Sequence, residues 1–333
     1  MKISYEEFRA KLMDPSVSDE EISRFLKTVP SESGPFNPVV LPDPAKVQLD
    51  AEARFEIESA LSWANGVARW RRQQIFADRV KTSKLPVVVS EGDSWFQFPF
   101  LLKDVIDQLG KSYLISSLDA AGDTARNIVY GAAEYMPELV RLKSKQVRAF
   151  LFSAAGNDVI GEDELGNPVL KSLLKTYSAG RSAAWHIDQG KLATVLKFLE
   201  EAYRDVIALI RRDRDFAKLP IVIHGYDYAI PGGFDGDIRN PSWAKQDKWL
   251  GSAMKAKKIL DTELQREIIR ILIDALYDTL LKIAGDSNAT YVYVADVRGT
   301  LSVGDWADEI HPTDKGFEKV AKIFEKTLKK AGV

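Results

Sequence analysis

Short apolar runs separated by longer amphipathic stretches dominate the chain from about residue 84 onward. The runs are continuous and rich in β-branched residues. They are Leu85–Ser90, Tyr113–Leu118, Val147–Ser153, Leu219–His224 and Thr290–Ala295. Such runs are typical of strands buried on both faces of a parallel sheet. The pattern therefore predicts a five-stranded parallel sheet.

Helical periodicity fills the spaces between these runs. We expect helices at about Phe100–Leu109, Asn127–Leu142, Leu192–Arg212 and Asp261–Ala284, and a last amphipathic helix after Pro312. Strands that alternate with helices imply right-handed crossovers, which place helices on both faces of the sheet. The sequence therefore predicts an α/β fold arranged as a three-layer α/β/α sandwich.

The first part of the chain has a different, mostly helical pattern. Ser4 and Glu7 fit the capping box that begins a helix, and the same spacing recurs from Ser18. A segment rich in Pro and Gly follows, and a long helical pattern then extends over about residues 44–80. We expect an N-terminal helical extension whose apolar face packs on the domain that follows.

The domain organisation follows from these patterns. We assign residues 1–83 to the helical extension, which packs on or links to the core, and residues 84–333 to the α/β domain. Insertions at about residues 161–190 and 231–258 leave from the carboxyl ends of strands, where open α/β sheets build their sites. We interpret both as walls or a lid over a pocket; ordinary surface decoration is the alternative.

The amino-acid composition excludes several kinds of functional site. The chain has 333 residues, a formal net charge of -2 and no cysteine, which excludes disulfides, a Cys nucleophile and Cys-ligated zinc. The balanced charge gives no indication of a nucleic-acid partner. Arg69, Arg71 and Arg72 are interpreted as a solvated helix face. No nucleotide-binding glycine motif follows the first strand, and His and Asp are too scattered for a metal cluster, so we predict no cofactor.

The N-terminus lacks the apolar stretch of a secretory signal, and no segment is long and apolar enough to span a bilayer. We therefore expect a soluble cytoplasmic protein without a transmembrane segment. Export by a signal-independent route remains an alternative, and the oligomeric state is left open.

A serine follows the first predicted strand in a position suited to chemistry. Ser94 comes just after Gly92, which permits a sharp turn, so its hydroxyl faces the active edge of the sheet. The tripeptide Gly-Asp-Ser recurs at 285–287. That second copy precedes the fifth strand, at the opposite edge of the sheet, and we interpret it as a turn.

Other polar groups converge on the same edge as Ser94. The second strand is followed by Asp119-Ala120-Ala121-Gly122-Asp123-Thr124, the third by Gly156-Asn157-Asp158, and the last block of the chain contains Asp308-Glu309-Ile310-His311. A hydroxyl, two candidate oxyanion donors and an acid–base pair thus meet at one edge.

These four segments, in this order, resemble the sequence blocks of the SGNH hydrolases, also called GDSL esterases/lipases, over roughly residues 86–328. The resemblance implies a flavodoxin-like sheet and assigns Ser94 as the nucleophile. It assigns oxyanion donors at Gly122 and Asn157, and it matches Asp308 and His311 to the family's Asp-x-x-His. Trp95 replaces the usual aliphatic residue after Gly-Asp-Ser, which puts the shape of the acyl pocket in doubt.

The expected function is that of a serine esterase. His311 would take the proton of Ser94, Asp308 would orient its ring, and the backbone N–H of Ser94 would join the oxyanion donors. The substrate would be a lipid, a short acyl ester or an acetyl ester. The alternative is a binding or regulatory module with this fold, recruited through its N-terminal helices.

Three further side chains are candidates for the substrate pocket. Trp95 and Phe96 either line an acyl pocket or pack in the core, and His224 ends the fourth strand at the active edge. A structural role for His224 is the alternative. His186 lies in the first insertion and is interpreted as a solvated loop residue.

Overall fold

A computed structural model describes residues 2–28, 40–49, 63–161, 168–232, 237, 239 and 249–333. The strands are β1 (Ile3–Ser4), β2 (Leu26–Thr28), β3 (Val40–Pro42), β4 (Val47–Gln48), β5 (Val87–Gly92), β6 (Leu114–Ser117), β7 (Ala149–Ser153), β8 (Ile221–His224) and β9 (Val292–Ala295). The helices are α1 (Tyr5–Met13), α2 (Asp19–Ser23), α3 (Trp63–Arg79), α4 (Val105–Leu109), α5 (Ala125–Tyr130), α6 (Tyr135–Arg141), α7 (Gly156–Ile160), α8 (Val169–Leu173), α9 (Gln189–Arg212), α10 (Leu250–Ala256), α11 (Thr262–Ala284) and α12 (Asp314–Lys330).

The last five strands form one parallel sheet, which confirms the predicted fold class. Their order is β6-β5-β7-β8-β9, and every neighbouring pair is parallel. This is the flavodoxin-like order, in which the chain reverses direction across the sheet between the first and third strands. The carboxyl ends of β5 and β7 therefore flank the crevice where such folds build their sites.

Helices cover both faces of the sheet. Helices α4 and α12 contact each other, and α12 also packs on β8 and β9; α9 contacts α5 and α11 in the other layer. In α12 the residues that point at the sheet, among them Phe317, Val320 and Phe324, are buried. All residues of β5 and β7 are buried as well, as their continuous apolar sequences predict.

Two predicted helices differ from the structure. The one expected at about Asn127–Leu142 is interrupted, because the backbone turns at Gly131, where a Cβ atom would lie 2.3 Å from the carbonyl oxygen of Asn127. The one expected from Phe100 begins only at Val105. Asp104 caps it by accepting the N–H groups of Ile106 and Asp107, and Phe100 itself has a positive φ of 62°.

The N-terminal region is less helical than predicted. Strand β1 pairs with β4, and β2 pairs with β3. The long helix expected from residue 44 is wrong at its start, because residues 44–49 form a turn and β4; helix α3 covers its later part, and residues 50–62 lie outside the described residues. Ser4 and Ser18 cap α1 and α2 as predicted.

A small apolar cluster, separate from the core around the sheet, packs the N-terminal region against the α/β domain. It includes Phe8, Leu12 and Val47 from the N-terminal region, Ala68 from α3, and Phe100 from the loop after β5. Apolar side chains of α3 thus face the first part of the chain, while Phe76 of the same helix belongs to the core around the sheet.

The interpretation of the arginines of α3 as a solvated face is wrong for two of them. Arg71 is 2% exposed and donates to the carbonyl oxygens of Leu12 and Asp14. Arg72 pairs with the buried Asp104 at 2.6 Å. These arginines are buried because carbonyl groups at the C-terminal end of α1 and a capping carboxylate supply the hydrogen-bond acceptors they need.

The expectation that His186 is a solvated loop residue is also wrong. Its ring is buried. Nε2 accepts the N–H of Ser178 at 3.2 Å, and Nδ1 donates to the carbonyl oxygen of Ser182 at 2.8 Å. Both ring nitrogens are hydrogen-bonded to backbone groups, so the histidine joins two turns of the first insertion.

Of the helices in the described ranges, none combines the length and apolarity needed to cross a bilayer.

Candidate active site

The turn after β5 carries Ser94. A Cβ atom at Gly92 would lie 2.7 Å from Cβ of Ser153 on β7, so only glycine fits where the two strands approach. The turn then places Oγ of Ser94 2.9 Å from Nε2 of His311, although the two residues are 217 positions apart in sequence. Ser94 has no exposed surface.

A compact loop before α12 holds the Asp308–His311 pair. Oδ2 of Asp308 lies 2.7 Å from Nδ1 of His311. Oδ1 of the same carboxylate accepts the backbone N–H groups of Ile310 and His311, at 2.8 and 2.7 Å. With Nδ1–H donated to the carboxylate, the lone pair of Nε2 faces Ser94. This is the geometry in which an imidazole can accept a proton from a hydroxyl.

Aromatic rings hold the imidazole of His311 from two sides. The ring of Phe98 meets it edge-on at 4.7 Å, and that of Trp249 does so at 5.9 Å. Nε1 of Trp95 donates to the carbonyl oxygen of Ile310 at 2.9 Å. Packing and the backbone together therefore fix the ring opposite the serine.

Gly122 lies in the loop after β6, and Asn157 lies in the first turn of α7, which follows β7; both are at the same edge as Ser94. Gly122 has a φ of 92°, in the region that favours glycine. The side-chain amide of Asn157 donates to the carbonyl oxygen of Asp123 at 2.7 Å, which ties the loop after β6 to α7. An amide has a second N–H to offer. Ala155, just before α7, has a strained φ of 99°.

Asn65 of α3 holds the loop that contains Gly122. Its Nδ2 donates to the carbonyl oxygen of Ala121 at 2.8 Å, and its Oδ1 accepts the N–H of the same residue at 3.2 Å. Gln97, in the turn after Ser94, donates to the backbone carbonyl of Asn65. The sequence analysis missed Asn65, because a single Asn in a helical pattern gives no sign of a contact 56 residues away.

Below the serine, a buried carboxyl group joins the ends of three strands. Asp93 accepts the backbone N–H of Trp95 at 3.0 Å and the hydroxyl of Ser153 at 3.2 Å. It also accepts the hydroxyl of Tyr226, which in turn accepts the N–H of Gly156 at 2.8 Å. Burial raises the pKa of Asp93 to about 7. The sequence analysis missed Tyr226 as well; its only sign was its position two residues after β8.

Of the two roles left open for Phe96 and His224, the structure shows packing in the core, and neither residue lines the apolar cavity beside Trp95. His224 is fully buried, its Nε2 lies 2.7 Å from the hydroxyl of Ser153, and its ring stacks on Phe96. Phe96 also packs edge-on against Phe324 of α12. Both belong to the core between the sheet and α12, and burial lowers the pKa of His224 to about 3, so its ring is neutral.

Trp95 does line a cavity, which lies between the carboxyl end of the sheet and helices α9 and α11. The cavity measures about 60 Å³. Its walls are apolar; they include Trp95, Gly156, Leu192, Leu196, Ala229 and Ile310. Within the described ranges, no cluster of three His, Asp or Glu side chains is arranged to hold a metal ion.

Glu309 fastens a second loop to the site. It is fully buried, and its two oxygens accept four backbone N–H groups, those of Gly232, Trp249, Leu250 and Gly251, at 2.6–3.0 Å. Burial raises the pKa of this carboxyl group, and the four donors oppose that shift. Since Glu309 lies between Asp308 and Ile310, these bonds anchor Trp249 beside His311.

Comparisons with known proteins give only distant structural likenesses. No family model matches the sequence, and no curated protein matches it. A Streptococcus pneumonia structure whose description names platelet activating factor has a TM-score of 0.39 and 13% identity, covering 84% of this chain and 100% of the other. An Arabidopsis thaliana protein has a TM-score of 0.34 and 13% identity, covering 68% and 66%.

A third structure is the psychrotrophic esterase EstA from Pseudoalteromonas sp., inhibited by monoethylphosphonate. It has a TM-score of 0.29 and 13% identity, and the alignment covers 73% of this chain and 97% of EstA. Structural likenesses with such low TM-scores and sequence identities do not indicate which reaction this chain performs.

Proposed function

We propose that the protein is a serine hydrolase of the SGNH type that cleaves carboxylic esters through an acyl-serine intermediate. One observation carries the proposal: Ser94, His311 and Asp308 form a continuous hydrogen-bonded chain with links of 2.9 and 2.7 Å. A buried serine has no structural need of an imidazole whose other nitrogen is held by a carboxylate. That arrangement is what turns a hydroxyl into a nucleophile.

In the first half of the proposed reaction, Oγ of Ser94 attacks the ester carbonyl carbon while Nε2 of His311 takes its proton. The tetrahedral intermediate collapses when His311 gives that proton to the leaving alkoxide, and the alcohol departs. Asp308 keeps the ring in the required tautomer and stabilises the imidazolium. Because Ser94 and His311 are buried, ester binding requires local opening around them.

In the second half, water attacks the acyl-Ser94 ester and gives its proton to His311. The carboxylic acid leaves as the proton returns to Oγ of Ser94. The backbone N–H groups of Ser94 and Gly122 and the amide of Asn157 are the proposed donors to the oxyanion in both halves. The loss of one such donor typically lowers kcat by about 10²–10³.

The test compares Ser94→Ala with Ser287→Ala. Ser287 belongs to the second Gly-Asp-Ser copy and is exposed in a turn. We expect Ser94→Ala to abolish both p-nitrophenyl butyrate hydrolysis and labelling by a fluorophosphonate probe, with a fall in kcat on the order of 10⁴–10⁶. Ser287→Ala should behave as the parent protein.

If the parent protein is folded but neither labels nor hydrolyses the ester, the proposal is wrong. The alternative of a binding module recruited through its N-terminal helices would then gain weight. Hydrogen bonds from Asn65 to the Gly122 loop favour the enzyme, because they join the N-terminal region to the site itself.

A further inference from the structure

The apolar cavity beside the serine offers a way to define the substrate. Three of the residues that line the cavity are next in sequence to residues of the candidate site. Trp95 follows Ser94, Gly156 precedes Asn157, and Ile310 precedes His311. The cavity therefore lies next to the segments that carry the candidate reacting groups. It extends from there between α9 and α11, where Leu196 and Leu272 line it.

The chemistry of the walls selects an apolar occupant. Two lining residues carry a polar side-chain atom, and both atoms already have partners. Nε1 of Trp95 donates to the carbonyl oxygen of Ile310, and the hydroxyl of Tyr226 is bonded to Asp93 and to the N–H of Gly156. No charged side chain from the described part of the chain lines the cavity. A sugar or a charged headgroup would lose its hydrogen bonds to water there without replacing them.

The size of the cavity limits the length of the occupant. It measures about 60 Å³, and roughly 10–15 Å³ on this measure accommodates one water molecule. A methylene group occupies about the same volume as a water molecule. The cavity therefore has room for roughly four to six methylene-sized groups.

We propose that this cavity holds the acyl chain of the ester and sets a preference for acyl groups of about four to six carbons. The inference rests on the proposed esterase activity. The acyl group stays bound through both halves of the reaction, so an apolar cavity beside the serine suits it. The alcohol must leave and be replaced by water, which requires a path to solvent.

The experiment measures kcat/KM for p-nitrophenyl acetate, butyrate, hexanoate and decanoate. We expect a rise of about fourfold per added methylene, the equivalent of about 0.8 kcal/mol for burying one CH₂ group, up to butyrate or hexanoate. Decanoate should show no further gain. A parallel series of alkyl acetates, which varies only the alcohol, should show no such optimum.

Two pairs of variants test the cavity itself. Ala229→Leu fills it and should lower the hexanoate-to-acetate ratio of kcat/KM at least tenfold, whereas Ala193→Leu, at an exposed position of α9, should not. Leu196→Ala enlarges it and should move the optimum one or two carbons longer. Leu281→Ala, on the exposed face of α11, is the matched control.

The outcomes separate this inference from the proposed function. A protein that labels at Ser94 and hydrolyses acetate, but shows a flat acyl series or an optimum in the alcohol series, overturns the acyl-cavity inference alone. So does an unchanged ratio in folded Ala229→Leu. Activity that survives Ser94→Ala would instead overturn the proposed function.

Discussion

At the scale of single residues, Asp93 links the turn that carries Ser94 to the pH dependence of stability. Burial raises its pKa to about 7, whereas an Asp in an unfolded chain titrates near 3.9. Between these two pKa values the folded protein binds a proton that the unfolded chain has lost. The free energy of unfolding therefore falls as the pH rises through this window.

We expect Asp93→Asn to remove this contribution. The parent protein should lose more stability than the variant between pH 4 and pH 7, by up to about 4 kcal/mol if the whole shift is realised. Urea unfolding at pH 4, 5, 6 and 7 measures the difference.

Asp286→Asn, in the second Gly-Asp-Ser copy, is the matched control. The pKa of Asp286 is lowered, chiefly by its hydrogen bond from the backbone of Asn288, so this residue contributes stability that is lost only below the window. Parallel pH profiles for the parent protein and Asp93→Asn would contradict the assignment of a raised pKa to Asp93.

The sequence identifies residues whose role is carried by a local motif, and it misses those whose role depends on the fold. Ser94, Asp308 and His311 stand in short segments with recognisable chemistry, and the structure places them in contact. Tyr226 and Asn65 act across 133 and 56 positions of sequence. Nothing within a few residues of either indicates the partner.

At the scale of elements, helix α3 holds the loop that contains Gly122. Asn65 pairs with both the N–H and the carbonyl of Ala121, which leaves the adjacent Gly122 fixed at its positive φ. Further along the same helix, Arg72 donates to the carbonyl oxygen of Phe96, two residues after Ser94. The helix thus contacts both the turn that carries Ser94 and the loop that contains Gly122.

We expect Asn65→Ala to lower kcat about tenfold while KM changes less than twofold. The Gly122 loop would be free to move, and only part of the 10²–10³ contributed by one oxyanion donor would be lost. Asn65→Asp keeps the acceptor for the N–H of Ala121 but loses the donor to its carbonyl, so its kcat should be intermediate. Steady-state kinetics on p-nitrophenyl butyrate provide the comparison.

Gln74→Ala, at an exposed position of the same helix, controls for a general loss of helix stability. Thermal unfolding of each variant separates folding from positioning. A fall in stability with unchanged kcat in Asn65→Ala would mean that Asn65 serves only to attach the helix.

The strands of the five-stranded sheet are predicted more closely than the short helices around them, for a physical reason. β5 and β7 are buried on both faces, so their apolar runs end within two residues of the strand ends. Helix ends depend on single backbone positions, such as the turn at Gly131 or the cap at Asp104, that a periodic pattern does not register. Pairing of β1 with β4 likewise depends on tertiary contacts between short segments.

At the scale of the whole molecule, the N-terminal region and the α/β domain each bury apolar side chains of the other. Phe100, from the loop after β5, is buried in the small N-terminal cluster, and Phe76 of α3 is buried in the core around the sheet. Burying a large apolar side chain contributes about 1.5–3 kcal/mol. Each region therefore covers surface that the other would otherwise expose to water.

This sharing predicts that the chain unfolds as one cooperative unit and that the α/β domain does not fold normally without residues 1–83. In hydrogen exchange at increasing urea concentration, amides of α1 and of β7 should become exposed at the same concentration.

A chain beginning at Lys84 should aggregate, because the apolar surface around Phe100 and the core residues that pack on Phe76 would be exposed to water. Arg71→Met removes the Arg71 donor to the buried carbonyl group of Leu12; it should destabilise the full chain by about 1–3 kcal/mol for that unpaired group. Separate transitions for α1 and β7, or a soluble truncated chain with the parent's esterase kinetics, would show instead that residues 1–83 form an independent unit.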